Sequence, residues 1–408
     1  MPKMTQATIE KTEVPSSAPV ARDESRKGIG TVAFKKSRAF GEFCVFLVVG
    51  LLLLELIFKF AGICDEENYL VDKRVGWVPV PNRSATYRTE GFSRYTINSL
   101  GMRDKERTIA KPPNTFRIAV MGCSVTEGKE VFIDQTYCSL LEKQLNQKGG
   151  PVKYEVLNFA VAAYNLGQEY LRLKHFALQF KPDLVVFTVR PNALLYMGGK
   201  AESGLFSSPP LFAIQANGAL LEDHHVQNHW LSTREGQRAQ KTVWLSTHSR
   251  LYKLIGKCAY NLEENRKKLG RKPVALKKDA EDNAEVKKRM ENAQLYLSKV
   301  AGALVADAKA LCDKEQAEFM VLYLPFGSKY RSALEGTLIE NFCKQQNVKF
   351  ADCNPDFDQL QKTSRKELYL RAHPSKFGHE KIAEYLKSYL ERNGLLKTGV
   401  STSQNVLQ

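Results

Sequence analysis

The 408-residue sequence lacks the paired Cys-x-x-Cys spacing of a zinc site: its eight cysteines, at 44, 64, 123, 138, 258, 312, 343 and 353, all stand singly. They read as small, mostly buried side chains, and no disulfide pairing follows from their spacing. Histidine is scarce. The one cluster among seven, His224-His225-Val-Gln-Asn-His229, has an i, i+1, i+5 spacing that is poor metal-ligand geometry on a helix. It reads as a solvated loop, and no metal or cofactor is expected. Acidic residues are the minority, 44 against 60 Lys and Arg, which gives a net charge of +16. That balance would suit nucleic acid, but the basic residues are spread out and no compact basic motif with interleaved aromatics occurs, so no nucleic-acid partner is expected. A basic, solvated surface near anionic lipid fits better. With 43% hydrophobic residues, the chain can bury the core of one large domain with an insertion.

Long apolar runs are also missing, with one exception. Residues 1–42, with Pro15 and Pro19 and mixed charge, have little to pack and are expected to be a disordered tail. Residues 43–63 then form an apolar run that as a helix would be about 30 Å long, enough to cross a hydrocarbon core. Glu55 and Lys59 lie four residues apart within it, where they can neutralise each other. No small-residue cleavage site follows, which argues for an anchor over a cleaved signal peptide. Arg22, Arg26, Lys27, Lys35, Lys36 and Arg38 precede the run, and Asp65, Glu66 and Glu67 follow it. The positive-inside rule then keeps the amino terminus in the cytoplasm and exports the rest, with the inner membrane as partner of residues 43–63.

Beyond the anchor, residues 64–115 read as an extended lead-in draped on the domain, with prolines and isolated aromatics in Gly76-Trp-Val-Pro-Val-Pro-Asn82. Strand-like runs at 116–121, 154–159, 184–189, 319–324 and 348–351 alternate with helix-like segments at 137–147, 168–179, 332–345 and 379–393. Such alternation implies an α/β domain over 116–395: a three-layer α/β/α arrangement with a central, mainly parallel sheet. Residues 198–312 break the pattern as a mostly helical insertion containing a charge-dense run from Glu263 to Met290. Residues 396–408 are a second tail.

The first strand runs into Gly122-Cys-Ser-Val-Thr-Glu-Gly128, with Ser124 at the tip of a tight turn. At the carboxyl end of a parallel sheet that is where ligands bind, although serine is equally a common helix cap. Cys123, adjacent on the strand path, is expected to point into the core when Ser124 points out. Glu127 reads as a residue of the helix amino terminus. Two further turns end nearby strands, Asn158-Phe-Ala-Val-Ala-Ala163 and Arg190-Pro-Asn192, and His373-Pro-Ser-Lys-Phe-Gly-His379 opens the last helix.

Together these four blocks resemble, in order, those of the SGNH (GDSL-like) hydrolases, and Asn98-Ser-Leu-Gly-Met-Arg-Asp104 with the anchor resembles their membrane-tethered bacterial branch. The resemblance implies a flavodoxin-like SGNH fold in which Ser124 attacks an ester carbonyl after His373 takes its proton. The backbone amides of Ser124 and Ala163 and the side chain of Asn192 would bind the oxyanion. It further implies an acyl-ester substrate, acetyl on an envelope carbohydrate, for a hydrolase or the matching O-acetyltransferase. A transferase would add a membrane acyl-donor protein as partner. Three positions depart from the family pattern. Cys123 replaces an Asp, Ala163 replaces a Gly, and Leu370 or Arg371 stands where the triad Asp is expected. A serine–histidine dyad is therefore expected, with Asp352, Asp356 and Asp358 as possible substitutes. The alternative is a catalytically impaired protein that binds glycan or serves envelope assembly.

Overall fold

The computed structural model describes residues 25–65, 69–190, 209–270, 284–324 and 333–397. Two compact units divide the chain at Ile57/Phe58. The first consists of helix α1 (Ser25–Ala61) up to that point. Residues Arg38–Ala61 of α1 are long and apolar enough to cross a membrane. The helix begins well inside the segment expected to be a disordered tail. No proline follows Pro19 there, and Lys, Arg and Ala are good helix formers.

In the second unit the chain first forms two antiparallel pairs, β1 (Tyr69–Asp72) with β2 (Gly76–Pro79) and β3 (Arg83–Tyr87) with β4 (Ser93–Ile97). The sequence reading had this stretch as a draped lead-in. Its strands are too short for periodicity to register, yet Trp77, Ala85, Tyr95 and Ile97 are buried. β5 (Thr115–Met121), β6 (Lys153–Asn158), β7 (Leu184–Val189), β10 (Glu318–Tyr323) and β11 (Lys349–Asp352) then build one sheet in the order β11-β10-β7-β5-β6. Every pairing in it is parallel, and all five strands fall within a residue or so of the runs read from the sequence.

The strands are apolar on both faces because helices cover both. Ala119, Met121, Val185, Phe187, Val321 and Tyr323 belong to one core, with Leu304, Val305 and Phe180. Ile118, Val120, Leu184, Val186, Met320 and Leu322 belong to the other, with Leu141, Phe357, Ile382 and Leu386. Each such side chain contributes roughly 1.5–3 kcal/mol of burial. The connecting helices are α2 (Ser124–Glu127), α3 (Tyr137–Asn146) and α4 (Leu166–Arg172). α4 passes into a π turn over Leu173–Ala177, so the helix expected over 168–179 is not one continuous α-helix.

The insertion is not purely helical. A hairpin of β8 (Leu211–Ile214) and β9 (Leu220–Asp223) precedes α5 (His225–Ser232), α6 (Arg234–Lys241), α7 (Val243–His248), α8 (Arg250–Gly270) and α9 (Ala284–Lys314). The expected charge-dense run from 263 to 290 includes residues 271–283, which lie outside the described residues. The histidine cluster, expected as a solvated loop, instead opens α5. His224 bonds Glu222 at 2.7 Å and Gln227 at 2.9 Å, while Trp230 and Gln227 are buried and hold the helix down. After β10 come α10 (Ala333–Gln345), α11 (Asn354–Leu368) and α12 (Lys376–Arg392), on which the last helix-like segments fall. The tails at 1–24 and 398–408, and Glu66 and Glu67, lie outside the described residues.

The turn after β5 leaves no room for a side chain at Gly122. A Cβ there would lie 2.3 Å from both Thr126 Oγ1 and Thr188 Oγ1. Those hydroxyls are 3.0 Å apart, Tyr137 donates its hydroxyl to Thr126, and Thr188 donates to the Met121 carbonyl at 2.7 Å. Gly122→Ala therefore disrupts a closed buried network and is expected to destabilise the domain by about 3 kcal/mol or more, read as a shift of the urea midpoint.

Candidate active site

Ser124 sits where β5 hands the chain to α2, a single turn held by its own backbone. The Cys123 carbonyl accepts from Thr126 N and Glu127 N, and the turn closes at Gly128, whose φ of 67° is left-handed. Cys123 is buried in the core and Ser124 is only partly covered, as the alternation of the strand path requires. Burial also pushes the Cys123 thiol up, although the Arg190 guanidinium beside it works the other way, so Cys123 is a poor nucleophile.

His373 is carried by the loop between α11 and α12. Leu370 N donates to the His373 carbonyl at 3.0 Å and Ser375 N to the Leu368 carbonyl at 2.9 Å, which pinches the loop shut. Ser375 caps α12 by accepting from Gly378 N. Gly378 is required there, because a Cβ would meet the Leu368 carbonyl at 2.3 Å. The loop brings His373 Nε2 to 3.0 Å from Ser124 Oγ.

The dyad expectation needs correction. His373 Nδ1 lies 3.0 Å from Oε2 of Glu90, a residue of the lead-in between β3 and β4. The same oxygen accepts from the backbone N–H groups of Ala372 at 3.0 Å and His373 at 3.2 Å. Burial opposes ionisation of Glu90, but the Ala372 amide and the His373 ring outweigh it and hold the carboxyl below its usual range. An ionised Glu90 accepts the Nδ1 proton and leaves Nε2 free to accept the serine proton. Arg371 is exposed, and Asp352 is turned to Asn354, accepting its N–H at 2.8 Å. Glu90 is 283 positions from His373 in sequence. No local motif marks it, and only the fold brings it there.

Glu130 is a second carboxylate at this ring. Its Oε1 stands 3.4 Å from Nδ1, its side chain is 2% exposed, and burial raises its pKa, with His373 partly offsetting that. Below it lies a buried charged layer that the sequence reading did not foresee. Burial pushes Glu127 up to about 8, against the Arg103 guanidinium, and Lys129 down to about 7. Arg103, also buried, donates to the Glu127 and Val131 carbonyls at 2.6 Å each and so clamps the chain that leaves the serine turn. Glu127 is thus a core residue facing Arg103 and Lys129, where a simple helix-terminus role was expected.

Of the expected oxyanion donors, Ser124 and Ala163 are described, and Asn192 lies outside the described residues. Ala163 has φ 63°, the left-handed region where glycine is at ease and alanine costs about 1 kcal/mol. Trp77 holds the adjoining peptide by donating Nε1–H to the Ala162 carbonyl at 3.2 Å. Among the described residues neither the Ser124 nor the Ala163 amide donates a backbone hydrogen bond. Beneath the site His379 stacks on Tyr137 and accepts its backbone N–H at Nδ1. Burial, with Arg103 and His373 nearby, pushes His379 down to about 3, so it is a neutral structural residue. No metal-binding group of His, Cys, Asp and Glu occurs among the described residues.

No protein-family model matches the sequence, and no curated protein matches it either. Solved structures that resemble it include the acetyl xylan esterase AlAXEase, with 12% identity, a TM-score of 0.35 and coverage of 67% of this chain and 100% of the other. A catalytic mutant of the acetylxylan esterase Axe2 from Geobacillus stearothermophilus has 11% identity, a TM-score of 0.37 and coverage of 70% and 97%. A putative lipolytic protein of the G-D-S-L family from Desulfitobacterium hafniense DCB-2 has 13% identity, a TM-score of 0.31 and coverage of 67% and 98%. Likeness at this level leaves the reaction to be read from the chain's own geometry.

Glu90→Gln keeps an oxygen that can accept the two loop N–H groups but removes the negative charge that stabilises the imidazolium. It is expected to lower kcat on an ester substrate by roughly 10³- to 10⁴-fold with little change in thermal midpoint, and Glu130→Gln to lower it less. His379 gives a pH prediction. Its folded pKa lies below the unfolded value, so the unfolded chain binds the extra proton and stability is lost as pH falls from about 6.5 to about 3. Urea titrations across that window should show wild type losing on the order of 4 kcal/mol relative to His379→Phe.

Proposed function

We propose that the chain is a membrane-anchored, exported serine esterase of the SGNH type. It would act on acyl esters, acetyl above all, of an envelope carbohydrate, or transfer the same acyl group to an acceptor hydroxyl. The observation that carries the reading is the single imidazole bridging Ser124 Oγ and the Glu90 carboxylate, each at 3.0 Å. Ser124 attacks the carbonyl as His373 Nε2 takes its proton, and Glu90 stabilises the imidazolium. The negative charge moves to the carbonyl oxygen, towards the Ser124 and Ala163 amides, with Asn192 the further donor that the family resemblance implies. Collapse expels the sugar hydroxyl with the proton from His373 and leaves acyl-Ser124. Water or a second hydroxyl then attacks under the same base.

The substrate class comes from the family resemblance. The anchor reading is supported by Arg38–Ala61 and by the basic residues that precede it. The missing aspartate was the main reason to consider a non-catalytic glycan-binding protein, and Glu90 fills that place.

The test is turnover of a chromogenic acetyl ester by the purified full chain. Ser124→Ala and His373→Ala should each fall by roughly 10⁴-fold or more, and a serine-directed phosphonate should label Ser124 in the parent alone. A folded parent that neither turns over nor takes the label contradicts the esterase reading.

A further inference from the structure

The stripe of α8 at Ile255, Cys258, Ala259 and Leu262 repeats at i, i+3, i+4 and i+7, the spacing of a helix face meant to be covered. Here it is exposed: Ile255 is 60% and Leu262 71% accessible, and Cys258 and Ala259 are open as well. α7, just before it, exposes Trp244 at 63%, its ring stacked on His248, and Leu245 at 40%. Four exposed large apolar side chains on two consecutive helices are more than scattered surface residues.

The start of α8 adjoins the point where the chain leaves α1, through residues on the side of the helix away from this stripe. Arg250 at the start of α8 pairs with Asp65 at 2.6 Å, and Lys253 donates to the Cys64 carbonyl at 3.4 Å, three residues beyond the last residue of α1. Asp65 is fixed from the other side by Thr86, whose hydroxyl donates to its carboxylate at 3.0 Å. Close by, Arg88 lies against Gly62 and over the ring of Phe92, which meets Phe132 edge-on; Phe92 is 54% and Phe132 40% exposed. Between Arg234 and Lys268 there are nine basic residues against three glutamates. Apolar side chains beside a basic surface, next to the end of an apolar span, match the chemistry of an anionic lipid interface.

We propose that the exposed faces of α7 and α8 seat the domain on the leaflet from which α1 emerges, with Trp244, Ile255 and Leu262 in the headgroup–acyl boundary. The proposal rests on the anchor reading of α1. Phe92, two residues from Glu90, would bring the catalytic edge close to the same surface.

Of the three tryptophans, Trp77 and Trp230 are buried, so Trp244 reports on this face. The full chain would be reconstituted in phosphatidylethanolamine–phosphatidylglycerol vesicles containing phospholipid brominated near the headgroup. The emission component missing from Trp244→Phe should be quenched by the bromine. An Ile255→Glu/Leu262→Glu variant should lose that quenching, yet stay resistant to alkaline extraction and hydrolyse a soluble ester as the parent does. Trp244 emission that ignores brominated lipid but remains open to aqueous acrylamide overturns the proposal. So does shielding from both that depends on protein density, because the occupant is then a second copy. Release of the parent by alkali removes the anchor reading and this inference with it. Failure of ester hydrolysis with quenching intact would instead fall on the esterase reading.

Discussion

The hydrogen bond from His373 to Glu90 joins the two ends of the domain, and the candidate chemistry depends on it. One carboxylate oxygen takes the imidazole proton and two backbone amides, so Glu90 both orients the ring and holds the loop that carries it. An orienting carboxylate contributed from so far away in sequence is only as well placed as the segment bearing it. That segment is fastened by buried charge. Arg103 clamps the carbonyls around the serine turn, and Asp104 pairs with Arg107 at 3.0 Å while accepting from Asn158 N at 3.1 Å. Arg107 in turn reaches Glu142 and the Val156 carbonyl. Because these groups are desolvated, breaking one leaves an unpaired charge and costs far more than a surface pair would. The lead-in is thus a structural part of the site.

The sheet was legible in the sequence because each strand is a short run of β-branched and aromatic residues bounded by turn formers, and parallel strands are apolar on both faces. The serine turn and the histidine loop were legible as motifs. Glu90 was not: it lies in Arg88-Thr-Glu-Gly91, a run with no periodicity, and its significance is purely spatial. Glu127 misled for a different reason. A glutamate in the first turn of a helix is ordinarily a solvated partner of the helix dipole, and only tertiary packing reveals that this one faces Arg103 in a sealed layer. The segment over 168–179 is helical throughout, as read, but the hydrophobic period does not distinguish its α-turns from the π-turn at Leu173–Ala177. Asn192 stays an expectation, outside the described residues.

Glu90 and Glu130 show how one ring can have two carboxylates close by without conflict. Two ionised groups near Nδ1 would repel, so the arrangement works only if their environments separate them. Glu90 has amide donors and is held low; Glu130 is more deeply buried and is pushed up. The carboxylate that is held low carries the charge that orients the histidine, while burial works against ionisation of the other.

Ala163 makes the same point through the backbone. Its left-handed φ is unfavourable for alanine and persists because the neighbouring turn is over-determined: Trp77 holds the Ala162 carbonyl, Val161 N bonds the Gly122 carbonyl, and the Tyr164 hydroxyl donates to the Trp77 carbonyl. Two of those three bonds come from Trp77 in β2, again part of the lead-in. If the strain were incidental, a chain free to relax would have placed a glycine there or turned the peptide. Holding it demands continuous support from β2, and the effect is to keep the Ala163 amide out of the backbone hydrogen-bond ladder on the turn expected to bind the oxyanion. The lead-in that supplies the Glu90 carboxylate also sets the backbone of that turn, so the orientation of the base and of the Ala163 amide both depend on it.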